Sequence, residues 1–108
     1  LRLRAEPMRV TTDQAVSLGV IVTELVTNAV KYAYAPGEGG EIRVRLEKAD
    51  KERAILVVED DGPGLGEGAP KGTGLGAKIV SAMAGGLRSA VEFDADHAGV
   101  RARLVFDL

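Results

Sequence analysis

The 108-residue chain contains no cysteine and no tryptophan. The lack of cysteine excludes disulfide bonds, thiol nucleophiles and cysteine-ligated zinc, and it fits a reducing compartment, so we expect a cytoplasmic protein. The sequence also lacks an apolar run near the roughly 20 residues that cross a bilayer, and its first residues do not show the basic, apolar and small-residue succession of a signal peptide. We therefore expect no membrane contact by this segment.

An excess of charge of one sign is also missing. Fourteen Lys and Arg residues against sixteen Asp and Glu residues give a formal net charge of -2, so nucleic acid is not expected as a partner. Hydrophobic residues at 45% and charged residues at 28% are typical of a globular protein. The length predicts a single domain, 1–108, and the start at Leu1 instead of Met leads us to expect a fragment of a longer protein.

Hydrophobic periodicity predicts two helices. Apolar residues recur at helical spacing from Asp13 to about Ala33, and Thr11 with Gln14 forms a capping box before them. A second helical stripe begins near Leu75 and stops at the glycines 85 and 86. The longer helix is amphipathic, so one of its faces must pack on other elements.

Short alternating or β-branched segments predict the strands of one sheet. They are Leu1–Arg4, Ile42–Leu46, Ala54–Val58, and two last strands near Ser89–Phe93 and Val100–Phe106. The second and third form a hairpin across Lys48–Arg53, and the last two flank a turn at 94–99. We predict an α/β two-layer sandwich with a mixed sheet, because hairpins do not build a parallel Rossmann sheet.

The first segment whose residues are suited to binding or catalysis lies on the long helix. Glu24, Asn28, Lys31 and Tyr32 are spaced so that all four share one helical face. Such a set can hold a metal through the amide oxygen, orient a nucleophile through the carboxylate and neutralise phosphate through the ammonium group. The same residues also fit a solvated helix face.

The second segment follows the apolar strand 55–58. Asp60 leads into Gly62-Pro63-Gly64, where no side chains obstruct a ligand. Its carboxylate can accept a hydrogen bond from an exocyclic amine such as that of adenine. A tight turn explains the same composition on conformational grounds alone.

The third segment opens the second helix. Glycines alternate through Gly72-Thr73-Gly74-Leu75-Gly76, which allows close approach of a phosphate to the unpaired amides of the helix start. Neither the Walker A motif nor the G-x-G-x-x-G dinucleotide motif is present. A flexible entry to the helix is the simpler alternative.

The order of the three motifs resembles that of the GHKL (Bergerat-fold) ATPases, over a region from about Thr11 to Leu108. The phrases NAVKYAY, DDGPGLG and GTGLGAKIV look most like the catalytic ATP-binding domain of bacterial sensor histidine kinases. The short connection 66–71 is similar to that of the HWE and HisKA_2 type. The resemblance implies a Bergerat sandwich, whose mainly antiparallel sheet is covered on one face by helices.

The resemblance also implies roles on the helix. Asn28 would coordinate Mg²⁺ between the phosphates of ATP, Lys31 and Tyr32 would lie near those phosphates, and Glu24 would position or deprotonate the attacking group. A divalent cation is needed on charge grounds as well, because a set of carboxylates would repel bare polyphosphate: Glu24, Asp60, Asp61 and Glu67.

On the loops, the resemblance assigns adenine recognition to Asp60 and space for the base to Gly62 and Gly64. It assigns the lid over the triphosphate to Gly72, Thr73, Gly74, Leu75 and Gly76. One departure concerns the end of the chain, where relatives often have Gly-Thr and this sequence has Gly99-Val100. Val100 has no hydroxyl to support the adenine contact, so we expect weaker nucleotide binding or compensation by water.

The function that the resemblance implies is Mg-ATP binding and phosphoryl transfer to a histidine on a separate helical dimerisation domain of the same kinase. A response regulator would then be an indirect partner. The chain's one histidine, His97, falls in a predicted exposed turn and is not expected to be the acceptor. Two alternatives stay open: an anti-sigma factor serine kinase of the same fold, and a catalytically silent nucleotide-sensing or docking domain.

Overall fold

A computed structural model describes residues 1–32, 41–62, 75–94 and 99–108. Its elements are β1 (Arg2–Ala5), α1 (Thr12–Tyr32), β2 (Ile42–Lys48), β3 (Arg53–Asp60), α2 (Leu75–Gly86), β4 (Glu92–Phe93) and β5 (Arg101–Asp107). The five strands form one sheet in the order β1-β2-β3-β5-β4. Because β1 pairs in parallel with β2 and the other pairs are antiparallel, the predicted mixed, mainly antiparallel sheet is confirmed.

The predicted capping box begins α1. The main-chain N–H of Gln14 donates to Thr11 Oγ1 at 3.1 Å, and the N–H of Thr11 donates to Gln14 Oε1 at 2.9 Å. These two bonds satisfy donors that have no partner inside the helix. The Gln14 side chain also donates to the carbonyl oxygen of Asp107 at 2.7 Å. The capping box therefore fixes the start of α1 to the end of β5.

This attachment sets the direction of α1 across the sheet. Arg53 lies opposite Asp107 in the β3–β5 ladder, so α1 starts at the Arg53 end of β3. Its 21 residues extend about 30 Å, longer than the roughly 25 Å of the strands below it. The C-terminal half of α1 is thereby carried toward the end of β3 that bears Asp60.

Both helices pack on the same face of the sheet. Alternate residues of β3 point to them, and Ala54, Leu56 and Val58 belong to the shared core. The buried cluster joins α1, α2 and the three central strands: Leu18, Ile21, Val44, Ala54, Leu56, Val58, Val80, Ala84, Leu87, Leu104 and Phe106. Within the described ranges, neither helix combines the length and hydropathy of a membrane-spanning helix.

The predicted hairpin is confirmed and is longer than expected. Asp50 Oδ1 accepts the N–H groups of Glu52 and Arg53 at 2.8 and 2.9 Å, which shapes the turn between β2 and β3. Beyond the predicted end at Val58, β3 continues because Glu59 pairs with Arg43 and Asp60 with Ile42. The motif residue Asp60 is therefore the last residue of a strand, not a loop residue.

The strand predicted near Ser89–Phe93 is wrong in extent, since β4 holds only Glu92 and Phe93. The reason is the end of α2, which continues through Gly85 and Gly86. Ser89 N–H donates to the Ala84 carbonyl and Arg88 N–H to the Gly85 carbonyl, both at 2.9 Å, which is the Schellman arrangement. Arg88 has φ 57°, so the left-handed residue that ends the helix is an arginine.

We expect Arg88→Gly to raise the free energy of unfolding by about 0.5 to 1 kcal/mol, because glycine adopts the left-handed region without a Cβ penalty. Chemical denaturation would measure the change. Lys78→Gly, at an exposed position inside α2, is the control and should lower stability by about 1 kcal/mol. A loss of stability in Arg88→Gly would contradict this account of the helix end.

Candidate active site

The carboxylate of Asp60 is buried at the end of β3, with 2% of the residue exposed. Its Oδ1 accepts the main-chain N–H of Gly62 at 2.9 Å and that of Val100 at 3.3 Å. The Asp60 N–H in turn donates to the Val100 carbonyl oxygen at 2.9 Å. The main-chain N–H groups of Gly62, which follows the strand, and Val100, which precedes β5, therefore fix the direction of this carboxylate.

The contact between Asp60 and the start of β5 requires glycine at position 99. A Cβ on Gly99 would lie 2.8 Å from Asp60 Oδ1 and would clash with the Asp60 carbonyl group. Main-chain atoms cannot move aside as a flexible side chain can, so the close approach excludes any larger residue. The need for glycine at position 99 was not predicted, although a glycine directly before the last strand was a signal in the sequence.

Val100 supports Asp60 through its main chain and not through its side chain. It has no hydroxyl, as the sequence shows, but its main-chain N–H donates to the same carboxylate. A main-chain donor is present whatever the side chain is, proline excepted. The Asp60 carboxylate is therefore held without a hydroxyl at position 100.

The structure brings Glu24 of the first motif to Gly76 of the third. A Cβ on Gly76 would lie 2.8 Å from Glu24 Oε2, so the carboxylate rests against the first turn of α2. At the other end of α2, a Cβ on Gly86 would lie 3.9 Å from Ser17 Oγ, so the two helices are antiparallel. Asn28, half-buried, lies one turn beyond Glu24 on the same face of α1.

The other predicted site residues are described in part or not at all. Lys31 and Tyr32 belong to the last turn of α1, but their side chains lie outside the described part. Gly62 is described and donates to Asp60, and Leu75 is the first residue of α2. The remaining predicted positions lie outside the described residues: Gly64, Glu67, Gly72, Thr73, Gly74 and His97.

A cluster of charges that sequence analysis missed lies on the sheet face away from the helices. Glu59, 5% exposed, receives a hydrogen bond from Arg43 on β2 at 3.1 Å and one from Arg101 on β5 at 2.7 Å. The sequence signal for this cluster was an acid at the end of an apolar strand, together with arginines at alternate positions of the neighbouring strands. Only the β3–β5 register shows that Arg101 faces it.

The arginines keep Glu59 ionised. Burial alone would raise the pKa of the Glu59 carboxyl, but hydrogen bonds from Arg101 and Arg43, together with the nearby charge of Arg45, hold that pKa below its ordinary value. Arg43 also contacts Asp61 and Glu41, and these acids with Glu59 raise the pKa of its guanidinium. The face away from the helices therefore holds a fixed network of full charges.

Comparison with known proteins now identifies the family. Residues 13–108 match the family model described as histidine kinase-, DNA gyrase B- and HSP90-like ATPase. The chain belongs to this family. The predicted resemblance to the GHKL ATPases is confirmed, and an ATPase domain implies ATP as the nucleotide.

Named relatives of this ATPase domain are sensor kinases. It is 30% identical over 89 residues to blue-light-activated histidine kinase 2 of Erythrobacter litoralis, covering 81% of the chain and 26% of that protein. It is 36% identical over 75 residues to the sensor histidine kinase PdtaS of Mycobacterium tuberculosis, covering 67% of the chain and 15% of that protein. The ATPase domain thus spans about a quarter or less of the length of these relatives.

A solved structure confirms the fold. The histidine kinase domain of the Erythrobacter litoralis EL346 blue-light-activated histidine kinase superposes with a TM-score of 0.88 at 26% identity. The match covers 99% of this chain and 50% of that one. The two-layer sandwich predicted from the sequence is therefore the sandwich of histidine kinase domains.

The charge network predicts a specific dependence of stability on pH. The folded pKa of Glu59 lies below its ordinary value of 4.5, so ionised Glu59 stabilises the folded chain above that pH. The contribution disappears as the pH falls through the folded pKa. We expect Glu59→Gln to be less stable than the unsubstituted chain at neutral pH, and the two unfolding free energies to converge in acid.

Urea titrations between about pH 7 and about pH 3 would measure both free energies. Glu47→Gln, which makes the same change on β2, is the control. Its difference in unfolding free energy from the unsubstituted chain should not vary with pH. A difference for Glu59→Gln that remained constant down to the lowest pH would contradict the assignment of an ionised, arginine-paired carboxylate.

Proposed function

We propose that this chain is the ATP-binding catalytic domain of a longer, cytoplasmic sensor histidine kinase. The observation that carries the proposal is the buried, main-chain-fixed carboxylate of Asp60, in a fold shared with histidine kinase domains. The small share of each named relative that the chain covers supports its being one domain of a larger protein. The identities of those relatives favour the sensor kinase over the anti-sigma alternative.

Asp60 would recognise the adenine base. An ionised carboxylate only accepts hydrogen bonds, and the amino group of adenine is a donor. Because Gly62, Val100 and Gly99 fix the carboxylate before the nucleotide arrives, little side-chain freedom is lost on binding. Gly62 and Gly64 would leave room for the base beside it.

Asn28 and Glu24 would act at the phosphate end of the nucleotide. Among the described residues, no three acidic or histidine side chains form a metal cluster. A single amide oxygen nevertheless fits Mg²⁺, which usually takes one or two protein ligands, water and the phosphates of its substrate. Bound there through Asn28, the ion would neutralise charge on the phosphates, as the acidic surroundings require.

The rest of the predicted set would enclose the triphosphate. Lys31 and Tyr32 would contact the phosphates from the last turn of α1. The segment Gly72-Thr73-Gly74-Leu75-Gly76 would close over them, with the first amides of α2 donating to phosphate oxygens. Glu24 lies against Gly76, which is consistent with a role between the lid and the reacting phosphate.

The reaction is a phosphoryl transfer. An imidazole nitrogen of the acceptor histidine forms a bond to the γ-phosphorus, the bond from that phosphorus to the β–γ bridging oxygen breaks, and ADP leaves. Glu24 would orient the imidazole or accept its proton. The acceptor would lie on a separate helical dimerisation domain of the same kinase, and a response regulator would be the indirect partner.

We expect Asp60→Asn to weaken Mg-ATP binding by about 10- to 100-fold, because an amide places a donor where the adenine amino group needs an acceptor. Isothermal titration calorimetry would measure the affinity. Asp107→Asn, the same change at the exposed far end of the sheet, is the control and should bind as the unsubstituted chain does. Equal affinity in Asp60→Asn would refute the adenine role.

We expect Gly76→Ala to slow the formation of ADP from Mg-ATP by about tenfold in the presence of the domain that bears the acceptor histidine, because the new methyl group displaces the Glu24 carboxylate. Stability should be unchanged or slightly higher, since alanine favours the helix. Gly85→Ala is the matched control, because a Cβ there meets nothing within 4 Å. Equal ADP formation in both variants would show that Glu24 has no role in the transfer.

A further inference from the structure

The fold itself does not require a charged residue at position 59. Removing a carboxylate from water is unfavourable unless charged partners replace the lost hydration, and an apolar residue could fill such a position. Here both oxygens are engaged by different strands: Oε1 by Arg43 on β2, and Oε2 by Arg101 on β5. Arg45 adds a third guanidinium, with its Nη2 at 3.5 Å from Oε1.

One of these arginines also binds the residue on the other side of Asp60. The Nη1 and Nη2 atoms of Arg43 donate to Asp61 Oδ2 and Oδ1, each at 2.8 Å, in a bidentate pair. The same side chain contacts Glu59 through Nε. A single guanidinium therefore fixes residues 59 and 61, and Asp60 lies between them.

These contacts act at the end of the strand. Asp60 is the last residue of β3, where ladder pairing ends. The sheet alternation directs its side chain to the helix face and those of its neighbours to the opposite face. The charge network can thus hold the main chain at this point without occupying the space beside the Asp60 carboxylate.

We propose that Arg43, Glu59 and Arg101 are positioning residues for Asp60, and that they set the preference for adenine over guanine nucleotides. The inference rests on the proposed role of Asp60. Adenine presents an amino donor where guanine presents a carbonyl acceptor, so a fixed carboxylate attracts the first and repels the second. A carboxylate whose main chain is loosened can turn away from guanine, and the discrimination then falls.

The test compares the dissociation constants of Mg-ATP and Mg-GTP for each variant of the 108-residue chain, measured by calorimetry. Glu59→Gln is expected to weaken ATP binding by about tenfold and to reduce the preference for ATP over GTP by a similar factor. Glu92→Gln is the matched control. It alters an exposed acid on the same sheet face, 3.8 Å from Arg103, and should leave both constants unchanged.

Arg43→Lys provides a second variant that retains the charge but cannot form the bidentate pair with Asp61. We expect it to lose part of the ATP preference, and it decides the question if Glu59→Gln does not fold. The ratio of the two constants separates positioning from stability, because a merely structural role lowers the folded fraction without changing that ratio.

The outcomes distinguish this inference from the proposed function. Folded Glu59→Gln or Arg43→Lys with an unchanged ATP-to-GTP ratio would overturn the inference, while Asp60→Asn could still show loss of binding. An unsubstituted chain that does not prefer Mg-ATP to Mg-GTP, or does not bind it, would instead overturn the role of Asp60. A reduced ratio in the network variants with an unchanged ratio in Glu92→Gln supports the inference.

Discussion

A carboxylate held out of water at the end of a strand is the constraint on which the site depends. Asp60 needs donors to replace its lost hydration, and the chain supplies them from Gly62 and Val100. The Val100 donor reaches it only because Gly99 has no side chain. The close approach of β5 to the end of β3 is therefore as much a part of the proposed nucleotide site as the acid itself.

The helices meet a second requirement, which is to bring residues far apart in sequence to the same end of the sheet. The capping box fixes the start of α1 at Asp107, and the length of the helix delivers Glu24 and Asn28 to the opposite end. The antiparallel packing of α2 then places Gly76 against Glu24. Helix length, one cross-element hydrogen bond and the shared apolar core together position these residues.

Local features of the fold could be predicted from the sequence, and features that depend on distant register could not. The capping box and the β2–β3 hairpin are properties of neighbouring residues, and they were confirmed. The partners of Glu59 depend on β3 pairing with β5, more than 40 residues away, as the Arg101 bond shows. The end of α2 at the glycine pair was also predicted, but the residue that adopts the left-handed conformation after it is Arg88. The order of the motifs singles out Asp60 in the sequence. The donor that reaches it from Val100 depends on the pairing of distant strands and could not be predicted.

The support that Asp60 receives from the peptide group of residue 100 has a consequence for which substitutions the chain tolerates. A main-chain hydrogen bond does not depend on the side chain of the residue that donates it, so valine at position 100 leaves the Asp60 acceptor with its donor. Proline alone would break the link. This contact therefore tolerates substitution at position 100, whereas the geometry at position 99 accepts glycine alone.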